Sequence, residues 1–337
     1  MRILVTGAAG FIGYHLAERL LARGDAVVGF DNLNDYYDVR LKEARLARLV
    51  PNPGFSFHRA DLADADAVKA AFAAGPYDCV VNLAAQPGVR YSLVNPHAYV
   101  ESNVKGFLHV LEGLRSQGTG HLVYASTSSV YGAGARLPYR ETECADQPLT
   151  LYAATKRANE HMAHAYAHLF GIPATGLRFF TVYGPWTRPD MALYRFTKAL
   201  FDGEPLTVYN EGRMVRDFTY VDDIVEGVVR VVDRPATPDP AWRPEAPTPG
   251  SSRVPWRIYN IGNSERVELM RYIRAIEAAA GRRAVLQMLP MQPGDVEATE
   301  ADVSALDAAV GFKPAMPVEE GVRRFVEWYR DYHGVAR

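Results

Sequence analysis

The chain has little of several things, and each shortage closes off a class of function. Its 337 residues include two cysteines, Cys79 and Cys144. Two thiols supply neither a disulfide framework nor the spacing of a zinc site, and Cys79, inside the apolar run DCVVN, reads as a core filler. No apolar run reaches the roughly 18 residues of a transmembrane helix. Met1 leads straight into a strand with no secretory leader, so a cytoplasmic location is expected. Net charge is −2; with no surplus of either sign, neither nucleic acid nor a membrane surface is an expected partner. No internal repeat is visible. What is present, 48% hydrophobic and 23% charged residues, is ordinary for a soluble globular protein, long enough for one or two domains around a large core.

The first informative stretch is RILVT (2–6), an apolar run, followed by Gly7-Ala8-Ala9-Gly10-Phe11-Ile12-Gly13 and an amphipathic pattern over 11–23. Strand, glycine turn and helix in that order let the backbone approach a pyrophosphate and place its charge at a helix N-terminus. The spacing is G-x-x-G-x-x-G. A second strand, AVVGF, ends in Asp31, beside Asn32 and 18 residues after Gly13, where a carboxylate would hold the adenosine ribose hydroxyls. An acid there repels a 2′-phosphate, so NAD is favoured over NADP. Strand FSFH (55–58) leads to Asp61-Leu62, an expected adenine contact. Strand DCVVN (78–82) ends in Leu83-Ala84-Ala85-Gln86, small residues that let a cofactor lie close. Strands and helices alternating at this length predict an α/β fold with a Rossmann-type doubly wound parallel sheet. Ligands in such sheets bind at the carboxyl ends of the strands, where Asp31, Asp61, Ala84 and Thr127 all fall.

The second stretch runs from Tyr124 to Lys156. The strand HLVYA is followed by Ser126-Thr127-Ser128-Ser129, and later by Tyr152-Ala153-Ala154-Thr155-Lys156. Tyr152 and Lys156 share one helix face. A free phenol titrates near ~10, too high for a base at neutral pH; a lysine beside it, with a cationic nicotinamide, would lower that value. A strand-end hydroxyl some 25 residues upstream could hold the substrate oxygen whose proton Tyr152 takes. Two long helices are expected, at 95–117 and 151–170. The second carries His161, His164 and His168, whose spacing mimics a metal face, but without a strand-borne partner they read as surface or interface residues and no metal is expected.

After RFFTVYG (178–184) the pattern loosens, as expected for entry into a smaller C-terminal α/β substrate domain. A helix at 191–202, a strand LTVYN (206–210), and FTYVDDIVEGVVRVV as strand then helix are predicted. Arg213 and Arg216, just before the last of these, suit a diphosphate. Residues 234–256 hold seven prolines and read as a long exposed or mobile loop. Strand RIYNI (257–261) and helices near 267–280, 303–310 and 318–333 complete the chain. The expected division is a cofactor domain over 1–177 with return segments about 218–233 and 257–262, and a substrate domain over 178–217 and 263–337.

Together, Gly7, Gly10, Gly13, Asp31, Thr127, Tyr152 and Lys156 resemble the extended short-chain dehydrogenase/reductase family over nearly the whole chain. Within it the chain looks most like the UDP-glucuronate 4-epimerases, through DNLNDYYDVRLKEARL (31–46), AAQPGVRYS (84–92), YASTSSVYG (124–132), RFFTVYGPWTRPDMA (178–192), GRMVRDFTYVDD (212–223) and MQPGDV (291–296). In UDP-galactose 4-epimerases the position of Thr181 is usually asparagine and that of Gln292 usually arginine. In UDP-glucuronate decarboxylases a glutamate stands where this chain has Ser129. Epimerases of UDP-glucose or UDP-N-acetylhexosamines, and UDP-glucuronate decarboxylases, are the alternatives.

The resemblance implies permanently held NAD, contacted by Gly7, Gly10, Phe11, Ile12, Gly13, Asp31, Asn32, Asp61, Leu62, Leu83, Ala84, Ala85, Tyr152 and Lys156. It implies Tyr152 as base at the sugar 4-OH, Thr127 on the same oxygen, and a 4-keto sugar that turns over before reduction. Pro87 would line the sugar pocket. Arg90, Arg188 and Arg216 are candidates to grip the diphosphate, with Arg188 facing the sugar carboxylate as the other possibility. Ser128, Ser129 and Thr181 are neutral donors suited to that carboxylate, and Gln292 completes the substrate set. Helices 95–117 and 151–170 pair across a homodimer in similar proteins.

Overall fold

The computed structural model describes residues 1–118, 120–292 and 294–335. Thr119, Pro293, Ala336 and Arg337 lie outside the described residues, and with them part of MQPGDV and the end of the expected 263–337 segment. A seven-stranded parallel sheet runs, edge to edge, Trp256–Ile261, Ala174–Phe179, His121–Thr127, Cys79–Asn82, Arg2–Thr6, Ala26–Asp31, Phe55–Arg59. Chain order reverses beside Arg2–Thr6, which pairs with Ala26–Asp31 on one side and Cys79–Asn82 on the other. Such a reversal opens a crevice at the carboxyl ends of those strands.

The strands are apolar on both faces because both are covered. Ile3 and Val5 point into one core with Cys79 and Val81, while Leu4 and Val80 point into the other. Helices Phe11–Arg23 and Val221–Val232 cover the first face, and Ala65–Ala73, Gly106–Gln117 and Leu151–Phe170 cover the second. The helix expected at 95–117 is continuous but not uniform: Pro96–Tyr99 and Gly106–Gln117 are α-helical, and Val100–Lys105 between them is a π turn.

Beyond Phe179 the chain builds small two-stranded sheets. Thr181–Tyr183 pairs with Phe218–Tyr220, Val215–Arg216 with Val267–Glu268, and Leu206–Tyr209 with Leu286–Leu289. Helices Ala192–Asp202, Leu269–Ala280 and Val318–His333 pack around them in the same core that lies under the main sheet. Strand Leu286–Leu289 went unread in the sequence, because it is short and half exposed and shows no alternation.

The proline-rich segment forms no helix and no named strand before Trp256. It is exposed along most of its length, yet anchored. Asp239 bonds Arg257 at 2.9 Å, the Ser252 carbonyl accepts from the Asp239 amide at 2.8 Å, and the Ile258 amide donates to the Gly250 carbonyl at 2.9 Å. His164 of the histidine face lies 3.0 Å from Ser252 Oγ and edge-on to Trp256, so it fastens this loop. Among the described residues no helix is long and apolar enough to cross a membrane.

Candidate active site

The crevice opens into one cavity of about 830 Å³ that runs from the glycine turn to the small sheets. At the glycine end, the turn lies directly on the end of strand Cys79–Asn82. Gly7 has φ +72°, and a Cβ there would stand 2.8 Å from the Ala84 nitrogen; one at Gly13 would stand 2.0 Å from the Gly7 carbonyl oxygen. Helix Phe11–Arg23 starts at Gly10 with no side-chain cap and no acid in its first turn. Its leading N–H groups and positive dipole end are thus left for an anionic ligand.

Asp31 is buried and accepts from the amides of Ala9 (3.1 Å) and Leu33 (2.9 Å), one on each oxygen. Each oxygen keeps a lone pair for a further donor. Burial lifts the carboxyl's pKa above the usual range, against the pull of the Leu33 amide and the Lys42 charge. Asn32 donates to Asp61 at 2.8 Å. Gly7, Gly10, Phe11, Ile12, Gly13, Asp31, Asn32, Asp61, Leu62, Leu83, Ala84 and Ala85 all lie on the cavity wall.

In the middle, Thr127 is the last residue of its strand and opens the 3-10 turn Ser128–Tyr131, its hydroxyl accepting from the Ser129 amide at 3.2 Å. Tyr152 and Lys156 sit on helix Leu151–Phe170, capped by the Thr150 side chain. Asn103, in the π turn, fixes that helix from behind. Its carbonyl accepts from Asn159 Nδ2 at 2.6 Å, and its Nδ2 donates to Thr155 Oγ1 at 3.1 Å. Its Oδ1 accepts from the Gln86 amide at 2.7 Å, which ties the helix to the loop carrying Pro87.

Lys156 is 2% exposed, and among the described residues its Nζ has no hydrogen-bond partner. Burial lowers its pKa to about 8, opposed by the negative charge of Glu160 one turn further on. Glu160 is itself saturated. Arg178 grips both its oxygens at 2.9 Å, Arg157 adds a bond at 2.6 Å, and Ser126 donates at 2.6 Å. Glu160 and Arg178 are 0% exposed. This network holds the carboxyl down at about 2 despite burial.

Burial raises the Tyr152 phenol, and the forces opposing it are a hydrogen bond with Thr127 and the charge of Arg188.

At the far end, Pro87, Arg90, Ser128, Ser129, Thr181, Arg188 and Arg216 share the wall with Thr127, Tyr152 and Lys156. The short pairing of Thr181 with Phe218 brings Thr181 and Arg216 to one side. Arg90 bonds Asp295 at 2.8 Å and lies over the Tyr209 ring, while Arg216 donates to the carbonyls of Val215 and Glu297. Arg188 engages Asp190 in a two-bond fork at 3.0 and 3.1 Å. Two expectations differ. Arg213 is exposed and off the wall, so the arginine pair contributes one member. Gln292 is also off the wall; Asp295, three residues on, takes the place on it.

Several wall residues were not singled out in the sequence: Tyr36, Lys42, Tyr91, Asp190, Tyr209 and Asp295. Most stand inside the segments that carried the family resemblance; Tyr36, Asp190 and Asp295 are on loops, where no periodicity marks the residue that turns inward, while Lys42, Tyr91 and Tyr209 lie on short helices or at a strand end.

The model of the NAD dependent epimerase/dehydratase family matches residues 3–262. The chain belongs to that family. It is 51% identical over 330 residues to a probable UDP-glucuronate 4-epimerase of Rhizobium meliloti, covering 98% of this chain and 97% of that one. It is 50% identical over 333 residues to the protein CapI of Staphylococcus aureus, 99% of each. Among solved structures it matches the UDP-glucuronic acid 4-epimerase of Bacillus cereus in complex with UDP-glucuronic acid and NAD, with a TM-score of 0.88 and 33% identity over 98% of this chain and 100% of that one. A tyrosine-to-phenylalanine variant of that Bacillus cereus enzyme was also solved with NAD and the 4-deoxy-4-fluoro analogue. For this family the wall fits a dinucleotide: a glycine turn on an uncapped helix, a buried carboxylate with free lone pairs, and a buried lysine with no hydrogen-bond partner among the described residues.

Proposed function

We propose that this chain converts UDP-glucuronate into UDP-galacturonate by inverting C4 of the sugar through a 4-keto intermediate, with NAD as its resident cofactor. The observation that carries this reading is the set of neutral hydroxyls, Thr127, Ser128, Ser129 and Thr181, on one cavity wall with Tyr152. NAD, when bound, accepts a hydride from the sugar and gives it back. It would lie along Gly7, Gly10, Gly13, Asp31 and Ala84, with Lys156 near its nicotinamide ribose.

In the forward step Tyr152 takes the proton of the sugar 4-OH while Thr127 hydrogen-bonds the same oxygen. A cation near the phenol favours its ionised form, and Arg188 supplies one. The 4-keto sugar then turns about its link to the diphosphate. Arg90 and Arg216 keep the diphosphate in place during that turn. Tyr152 returns the proton once the other face is presented, and C4 is inverted.

The intermediate is a β-keto acid and loses CO2 when the bond to its carboxylate aligns with the carbonyl π system. Ser128, Ser129 and Thr181 hold that carboxylate out of alignment, and as neutral donors they can let go and re-form as the ring turns, where a bidentate arginine would fix one pose. Ser129, standing where a decarboxylase carries glutamate, supports epimerisation over CO2 loss.

We propose that 1–177 with 218–233 and 257–262 mainly hold NAD and 178–217 and 263–337 mainly hold the UDP-sugar, Arg90, Thr127, Ser128 and Ser129 reaching the sugar from the first. We also propose a cytoplasmic homodimer. Val100, Leu108, Leu169 and Phe170 are exposed apolar residues on the two helices that would pair; light scattering should give twice the 37.3 kDa of one chain. The activity itself is tested by incubating pure protein with UDP-glucuronate and separating the products. UDP-galacturonate is expected. A UDP-pentose as main product would make the chain a decarboxylase, and turnover of UDP-glucose alone would make it another epimerase.

A further inference from the structure

Arg188 and Asp190 stand two residues apart in one loop, on the wall of the sugar end. The guanidinium meets the carboxylate in the planar fork: Nε to Oδ1 at 3.0 Å and one terminal nitrogen to Oδ2 at 3.1 Å. The same nitrogen lies 3.4 Å from the Met191 sulfur. Tyr36, from the loop after strand Ala26–Asp31, donates its hydroxyl to Asp190 Oδ2 at 3.3 Å. The Tyr36 ring is in turn packed on Tyr91, 4.9 Å between centroids. Asp190 is therefore set from two separate loops. The pair is neither solvated nor sealed: the side chains are 20% and 33% exposed.

A carboxylate in the fork of an arginine is the arrangement the uronate group of a substrate would itself seek. Taking UDP-glucuronate as the substrate, we infer that Asp190 is a positioning residue that occupies the Arg188 fork in competition with the sugar carboxylate. The charge of Arg188 still attracts an anionic sugar, but its fork is engaged, and contact with the carboxylate is left to hydroxyls that release it. Removing Asp190 frees the fork. The uronate is then clamped, so binding tightens and the turn of the 4-keto ring slows. A sugar with CH2OH in place of the carboxylate has nothing for the fork to take, so it should be indifferent.

The test is steady-state kinetics of wild type, Asp190→Asn, Arg188→Ala and the double variant, on UDP-glucuronate and UDP-glucose. Asparagine keeps the shape of the side chain and removes its charge. If the fork is free about a tenth of the time in wild type, Asp190→Asn should lower KM for UDP-glucuronate about tenfold. Its kcat should fall alongside, while the constants for UDP-glucose stay within about twofold. In the Arg188→Ala background the same substitution should change nothing, because Asp190 acts through Arg188. A raised KM, equal effects on both sugars, or an effect that persists without Arg188 would overturn the inference and leave Asp190 as a prop for its loop. Wild type that does not turn over UDP-glucuronate would instead overturn the functional reading, and this inference with it; that control is read independently of either variant.

Discussion

Two arginine–carboxylate pairs flank the catalytic tyrosine, and they differ in everything but bond length. Arg178 and Glu160 meet at 2.9 Å with neither side chain exposed, and Arg157 and Ser126 fill the remaining valences of the carboxylate. Arg188 and Asp190 meet at 3.0 Å, partly exposed, with one tyrosine hydroxyl for company. A charge pair sealed from water and fully bonded cannot exchange partners cheaply; one open to a cavity can. The first fixes the helix that carries Tyr152 and Lys156. In the proposed reaction the second stands where the sugar ring must let go and be held again. On that proposal the cavity has an end that stays put and an end built to release.

The largest effect should come from the sealed pair. Glu160→Gln leaves the buried Arg178 guanidinium short of a counter-charge, while Arg157 keeps Asp146, and should cost about 3–5 kcal/mol in urea unfolding, whereas Asp190→Asn should cost about 1 kcal/mol or less. Equal costs would break the comparison. The sign with pH follows. The Glu160 carboxyl is held at about 2 against an ordinary 4.5, so its contribution is full above pH 4.5 and is lost as pH falls toward 2. Glu160→Gln should flatten that part of the acid unfolding curve.

Next is the base. Tyr152→Phe should retain nucleotide and UDP-sugar and lose at least ~10²-fold in kcat; near wild-type turnover would remove Tyr152 from the chemistry. Asp31→Ala follows. Losing charge-assisted bonds to the ribose should weaken NAD retention by roughly ten- to a hundredfold, read as cofactor released when purified protein is denatured. Recovery of mostly NADP from wild type would contradict the role of Asp31.

The smallest effect sharpens the releasing end. Thr181→Ala removes one neutral donor, worth about 0.5–1.5 kcal/mol. It should narrow the preference for UDP-glucuronate over UDP-glucose several-fold and raise the share of UDP-pentose among the products. Chromatography with mass detection reads both. An unchanged profile would pass the management of the carboxylate to Arg188.

The fixed end was legible in the sequence and the releasing end only in part, for a physical reason. Gly7, Asp31, Ala84, Thr127 and Tyr152 sit at the ends of regular elements, where period and spacing say which way a residue points. Thr181, Arg188 and Arg216 sit on loops and strands of two or three residues. Family likeness brought Thr181 and Arg188 forward, and Gln292 with them, while the paired-arginine pattern brought Arg216 together with Arg213; Gln292 and Arg213 lie off the wall. Asp190 and Tyr36 had no pattern to mark them. Glu160 carried a readable signal, one turn beyond Lys156 on the same face, but its partner Arg178 is 18 residues away on a strand. The π turn at Val100–Lys105 was also hidden; Asn103 within it bonds two segments distant in sequence, Gln86 and helix Leu151–Phe170.

The account stands or falls on whether the same carbon is oxidised and then reduced from its other face inside one cavity. UDP-glucuronate carrying deuterium at C4 tests this directly. Mass and NMR analysis of the UDP-galacturonate formed should find the deuterium still on C4, with no exchange for solvent protons. Deuterium lost to water, or found on another carbon, would contradict it.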